Sequence, residues 1–109
     1  MVYAFDVDGT ICTNTYGEYE SSRPYEDRIK YINSLYDRGE TVYYLTARGM
    51  GRSNNDQMRA YALYEFTKNQ LDSWGAKYHQ LFMGKPNADI FVDDKGSHSE
   101  AFFSENLHK

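Results

Sequence analysis

Two rhythms of apolar and polar positions alternate along the chain. Residues 2–7, VYAFDV, are apolar at nearly every position, as expected of a central parallel strand covered on both faces, and Gly9 ends the run. Residues 11–22, ICTNTYGEYESS, have neither rhythm and read as a loop or short hairpin. Ser22 and Pro24 then provide a helix start, Ile29, Ile32, Leu35 and Tyr36 recur at helical spacing, and Gly39 stops the helix after about four turns.

A second strand fits TVYYL at 41–45. Ser53, Asn54, Asn55 and Asp56 offer caps for a helix whose face carries Met58, Tyr61, Ala62 and Phe66 and which runs toward Trp74 and Gly75. A third strand is expected around KYHQLFM, a fourth at ADIFV (88–92), and a short terminal helix around Phe102, Phe103 and Leu107. Strands alternating with helices predict an α/β fold whose sheet is mainly parallel with right-handed crossovers. Repeats, linkers and low-complexity tracts are absent from the sequence, and its 109 residues suit a single domain spanning 1–109.

Composition narrows the function classes. With 40% hydrophobic and 26% charged residues, eleven tyrosines and six phenylalanines, the chain has the makings of a folded, aromatic core. A net charge of −4 with no basic run lacks the footprint of a general nucleic-acid binder. Cys12 is the only cysteine, so an intramolecular disulfide framework is excluded and a reducing, cytoplasmic setting is the expectation. Asp6 and Asp8 interrupt the opening apolar run before a signal-peptide core could form, and no stretch is long enough to span a bilayer.

The chemistry collects where the strands end. Asp6 and Asp8 follow the first, Thr46 the second, Asp93 and Asp94 the fourth, and Lys85 sits in the loop MGKPNAD before that last strand. A single strand-end aspartate is commonly a turn former. Several converging on one edge, as parallel strands require, crowd negative charge that a cation must offset. Oxygen ligands without a His or Cys cluster suit Mg²⁺. Together with a lysine and a threonine hydroxyl, such a site is complementary to a phosphoryl group, with Asp6 as nucleophile and Asp8 as the acid and base on the leaving oxygen and the hydrolytic water.

These stretches, DVDGT at 6–10, YYLT at 43–46, Lys85 in GKP and FVDD at 91–94, resemble the four ordered motifs of the haloacid dehalogenase (HAD) superfamily. The resemblance implies a Rossmannoid three-layer sandwich with strand order 3-2-1-4-5, and a phosphatase working through an aspartyl-phosphate. Asp6 and Asp8 would be catalytic; Thr46, Lys85, Ala47 and Arg48 would bind the substrate phosphate. Mg²⁺ would be held by Asp6, the backbone carbonyl of Asp8 and Asp93, with Asp94 supporting it directly or through water. The short segment 12–22 and the filled interval from Thr46 to Lys85 leave no room for the cap domain that most members carry.

A capless site needs another cover, such as a second copy of the chain. Tyr16, Tyr19, Arg48 and Arg52 are the residues expected near the leaving group. LTARG and KYHQLFMGKPNADIFVDDK are also similar to small HAD proteins of capsule and surface-polysaccharide biosynthesis, which implies a small phosphorylated substrate, a sugar or polyol phosphate. A 3′-phosphatase acting on nucleic-acid ends and a non-catalytic Mg²⁺- and phosphate-binding module are the alternatives; the acidic balance argues against the first and the intact catalytic set against the second.

Other signals carry less. GMGRSN resembles a dinucleotide-binding turn but has Asn54 where the third glycine belongs. A cysteine phosphatase would need an arginine six residues after Cys12, where Glu18 stands, so Cys12 is expected to pack beneath the flap formed by the segment 12–22 that carries Tyr16 and Tyr19. His79, His98 and His108 share no metal-binding spacing.

Overall fold

In β1 (Val2–Asp6), period-two alternation sends Tyr3 and Phe5 to one face and Ala4 and Asp6 to the other. The structure, a computed structural model, describes residues 1–48, 57–83, 88–93 and 98–107. β1 pairs in parallel with β2 (Thr41–Leu45) on one side and β4 (Ile90–Val92) on the other, and β2 pairs in parallel with β3 (Gln80–Phe82). The resulting order β3-β2-β1-β4 reproduces the first four positions of the expected sheet. A fifth strand is not among the described residues.

The first helix, α1 (Glu26–Asp37), begins later than Ser22 and Pro24 suggested. The preceding chain is still engaged: Cys12 bridges Pro24, and the Tyr25 amide donates to Ile11 O at 2.8 Å. Helical geometry starts only once those pairings end. Ile29, Ile32 and Leu35 form its buried stripe, and Gly39, at φ 92°, turns the chain into β2 with a conformation that side chains rarely adopt.

The second helix, α2 (Gln57–Ser73), closes where Trp74 and Gly75 were expected to stop it. Gly75 is left-handed at φ 76°, and Ala76 N donates back to Leu71 O at 3.1 Å, which satisfies a terminal carbonyl. The expected caps Ser53 to Asp56 lie outside the described residues. After β4 comes α3 (His98–Leu107).

The helices meet on the face that bears Tyr3 and Phe5. Phe102 of α3 packs edge-on to Phe5 at 5.6 Å between ring centroids, and Phe103 stacks near the same ring. Arg28 of α1 pairs with Glu100 of α3 at 3.0 Å, and Tyr31 donates to Asn106 at 3.2 Å. On the other flank of α1, Asn33 donates to Gly75 O at 2.9 Å, which ties in the end of α2. Phe5, Val42, Tyr44, Leu71, Leu81 and Val92 join the α1 stripe in one core. The described residues thus form the expected α/β architecture, a parallel four-stranded sheet packed with helices. They include no cap, and no helix among them is long and apolar enough to cross a membrane.

Tyr44 holds an anomaly at the centre of this core. Its hydroxyl is buried without a hydrogen-bond partner among the described residues, and burial raises its pKa. A buried unpaired hydroxyl costs about 1–3 kcal/mol. Tyr44→Phe removes it while keeping the ring, so thermal unfolding should shift upward by about 4 °C or more; a lower midpoint would show that the hydroxyl is satisfied after all.

Candidate active site at the strand ends

Parallel pairing decides which acidic residues become neighbours. Phe5 pairs with Val92, so continuing both strands by one residue places Asp6 beside Asp93, and the alternation sends both to the same face. Asp6 also pairs with Leu45, which brings Thr46 to the edge as the next residue of β2. Asp6 Oδ1 accepts from the Val7 amide at 2.9 Å, which restrains its carboxylate at the strand end. Asp6, Thr46 and Asp93 therefore share one edge, as expected.

Beyond Asp6 the chain folds back at once. Thr10 and Ile11 amides donate to Val7 O, and Gly9, at φ 81°, donates to Cys12 O at 2.9 Å. Glycine is required there because the turn enters the left-handed region. The tight loop leaves Asp8 partly exposed and buries Thr10, Ile11 and Cys12.

Thr46 is almost fully buried, and its Oγ1 accepts from the Arg48 amide at 3.0 Å while its own amide donates to Phe82 O at 2.9 Å. This local hydroxyl-to-backbone bond caps the turn after β2. Ala47 is exposed between its two buried neighbours.

Arg48 differs from expectation. It was expected on the substrate phosphate or near the leaving group, but its guanidinium is turned inward, with 0% of the side chain exposed against 19% for Asp8. Nε donates to Asp8 Oδ2 at 2.9 Å and Nη2 to Asp8 Oδ1 at 2.8 Å, a bidentate pair. Nη1 donates to Thr67 Oγ1 at 3.1 Å and Gln70 Oε1 at 2.8 Å. The Tyr19 ring, in a 3₁₀ turn at Tyr19–Ser21, covers the guanidinium at 4.4 Å. Burial of a cation is tolerable only when it is fully paired, and among the described residues Asp8 is the carboxylate on it.

Thr67 and Gln70 were missed in the sequence. Their signal was a pair of polar residues three apart on α2 beside buried Leu71, where apolar residues belong. Gln70 also donates from Nε2 to Tyr19 O at 2.8 Å, which binds the flap to the helix. Tyr16, the other flap tyrosine expected near the leaving group, is 88% exposed and sits at φ 54° in a turn held by Asn14.

Cys12 packs beneath the flap, as expected. Burial, reinforced by the charge of Asp8, pushes its thiol up to about 12. Among the described residues no group of three or more His, Cys, Asp or Glu forms a metal-binding cluster. Lys85, Asp94 and Arg52 lie outside the described residues, as does His108. His79 is exposed, yet its Nδ1 accepts from the Val42 amide at 3.1 Å and its ring lies 4.7 Å from Tyr36.

Comparison with solved structures bears on the architecture. A structural-genomics target from Vibrio cholerae aligns at TM-score 0.66 with 23% identity over 99% of this chain and 94% of its own. A conserved protein from Bacteroides thetaiotaomicron aligns at 0.61 with 16% identity, covering 100% of this chain and 92% of that one. A D,D-heptose 1,7-bisphosphate phosphatase from B. bronchiseptica, solved with magnesium and phosphate, aligns at 0.53 with 15% identity over 99% of this chain and 64% of its own. The chain shares the α/β fold of these structures. No family model matches the chain, and no curated protein matches it.

Two outcomes follow from this geometry. Arg48→Met would strand the Asp8 carboxylate beside unfilled acceptors and should lower stability by about 3 kcal/mol in urea unfolding, whereas loss of a solvated arginine would cost under about 0.5 kcal/mol. With a thiol near 12, roughly one Cys12 in ten thousand is thiolate at pH 8. A disulfide reagent should therefore leave the native protein unlabelled and react only after unfolding; rapid native labelling would contradict the buried placement.

Proposed function

We propose that this protein is a Mg²⁺-dependent phosphomonoester hydrolase acting through an aspartyl-phosphate, with a small sugar or polyol phosphate as substrate. The observation that carries the reading is the parallel register that sets Asp6 beside Asp93, with Asp8 and Thr46 on the same edge. Ligands of open α/β sheets bind beyond the carboxyl ends of the strands, which is where these groups lie. The HAD-like fold, shared with a phosphatase of a heptose bisphosphate that was solved with magnesium and phosphate, supports the class of reaction and of substrate.

The donor set fits the metal. Asp6 and Asp93 supply two hard carboxylates and the backbone carbonyl of Asp8 a third oxygen, in keeping with an ion that takes one or two carboxylates and keeps its remaining sites for water and phosphate. When bound, Mg²⁺ would offset the charge of the carboxylates and of the phosphoryl oxygens. Asp94 and Lys85 complete the set in this reading, Asp94 beside the metal and Lys85 with Thr46 and Ala47 on the phosphate.

Asp6 Oδ attacks phosphorus and forms the new P–O bond as the bond to the ester oxygen breaks. The departing alcohol takes its proton from Asp8. Water then attacks the phosphorus of the aspartyl-phosphate, Asp8 accepts the proton, and the Asp6 oxygen leaves with its electron pair, releasing inorganic phosphate and restoring both carboxyl groups. With no cap among the described residues, a second copy of the chain is the cover that this reading calls for.

Asp6→Asn keeps the shape of the nucleophile and removes its reactivity. Turnover of a panel of sugar and polyol phosphates should fall to background with the unfolding midpoint little changed, while Asp8→Asn should cost about 10²- to 10⁴-fold. Activity retained by Asp6→Asn would exclude the covalent route.

A further inference from the structure

A buried polar cluster stands behind Asp8. Resting on the phosphatase reading above, we propose that Arg48 is a positioning residue: braced by Thr67 and Gln70, it aims the Asp8 carboxylate for proton transfer at the leaving oxygen.

A carboxylate held by one donor can still rotate about its last torsion. Held by Nε and Nη2 of one guanidinium, at 2.9 and 2.8 Å, it is confined to the plane of that guanidinium. The aim is then only as good as the guanidinium's own restraint. Nη1 is tied to Thr67 and Gln70, the Arg48 amide to Thr46 Oγ1, and the Tyr19 ring closes one face of the guanidinium. Gln70 carries the restraint onward to the Tyr19 carbonyl in the flap.

The same contacts discriminate between the two Asp8 oxygens. Among the described residues Oδ1 receives Nη2 and lies 3.7 Å from Cys12 Sγ, while Oδ2 receives only Nε. Oδ2 is the less committed atom and is the one that carries the proton. When it does, the bond from Nε is surrendered, since a hydroxyl oxygen bearing its proton toward the substrate is a poorer acceptor, and Nη2 to Oδ1 keeps the group in place. After the proton has passed to the leaving alcohol, the bidentate pair closes again and presents the ionised carboxylate to water. Loosening the brace should therefore impair proton transfer more than it impairs phosphate binding.

The leaving group provides a readout that a merely structural residue would not move. An alkyl phosphate needs its leaving oxygen protonated, whereas p-nitrophenolate departs unaided. Thr67→Val is nearly isosteric and removes one acceptor from Arg48. In the presence of magnesium it should lower kcat/KM, which reports only the steps through the first phosphoryl transfer, about 10-fold on glycerol phosphate and less than about 3-fold on p-nitrophenyl phosphate, with KM for glycerol phosphate not raised. Thr67→Ser, which keeps the hydroxyl, should restore the alkyl rate. Equal losses on the two esters, or a raised KM with unchanged kcat, would overturn the positioning role, the latter returning Arg48 to the phosphate.

Should Thr67→Val fail to fold, Gln70→Met, which removes the other acceptor and the bond to the flap, is judged by the same ratio. A wild-type protein inactive on a broad panel of alkyl and aryl phosphates would remove the phosphatase reading and the positioning role with it. Wild-type turnover combined with variants blind to the leaving group would remove the positioning role alone.

Discussion

Parallel pairing of β1 with a strand on each side is the constraint from which the remaining structure follows. It sets a single polarity for the sheet, so the residues that end each strand meet at one edge, and it fixes a register in which Asp6 and Asp93 fall side by side. A slip of one residue would send one of the two carboxylates to the opposite face. The register is held by the hydrophobic demand of the other face, where Phe5 must meet Tyr44, Val92 and the aromatic rings of α3. Packing below the site thus determines geometry within it.

The second organising contact is the ion pair of Arg48 with Asp8. An arginine sealed from solvent is expensive unless each of its donors is used, and here it is satisfied by a carboxylate from the first loop and two polar side chains of α2. The pair accordingly couples three segments: the loop after β1, the turn after β2 and the C-terminal half of α2. The flap joins them through Tyr19, whose carbonyl is held by Gln70 and whose ring lies on the guanidinium. A site that appears in sequence as isolated strand-end residues is, in the folded chain, backed by a continuous polar brace.

That brace also explains why the segment between β1 and α1 is ordered without regular structure. Its backbone is paired locally, Thr13 N to Arg23 O at 3.0 Å and Tyr25 N to Ile11 O at 2.8 Å, and its apolar residues Ile11 and Cys12 lie beneath it in the core. The flap is fastened at its base and by Tyr19, while Tyr16 at its tip faces solvent.

Much of this protein was legible in its sequence alone. The kinds of element, their order, the span of β2 and the glycine that ends α1 follow from local periodicity and backbone preference, which act over a few residues and need no partner. The polar residues at the strand ends were equally visible, because a charged group interrupting an apolar run is conspicuous wherever the run is placed. Tertiary structure decided the rest. The start of α1 moved because bonds from Cys12 and Ile11 kept the preceding chain extended. The direction of Arg48 was set by Asp8, 40 residues away, and by Thr67 and Gln70, 19 and 22 residues away. Period and propensity describe a residue's own segment, whereas the aim of a long cationic side chain depends on which acceptors the fold brings within reach, and that is known only once the sheet and its helices are assembled.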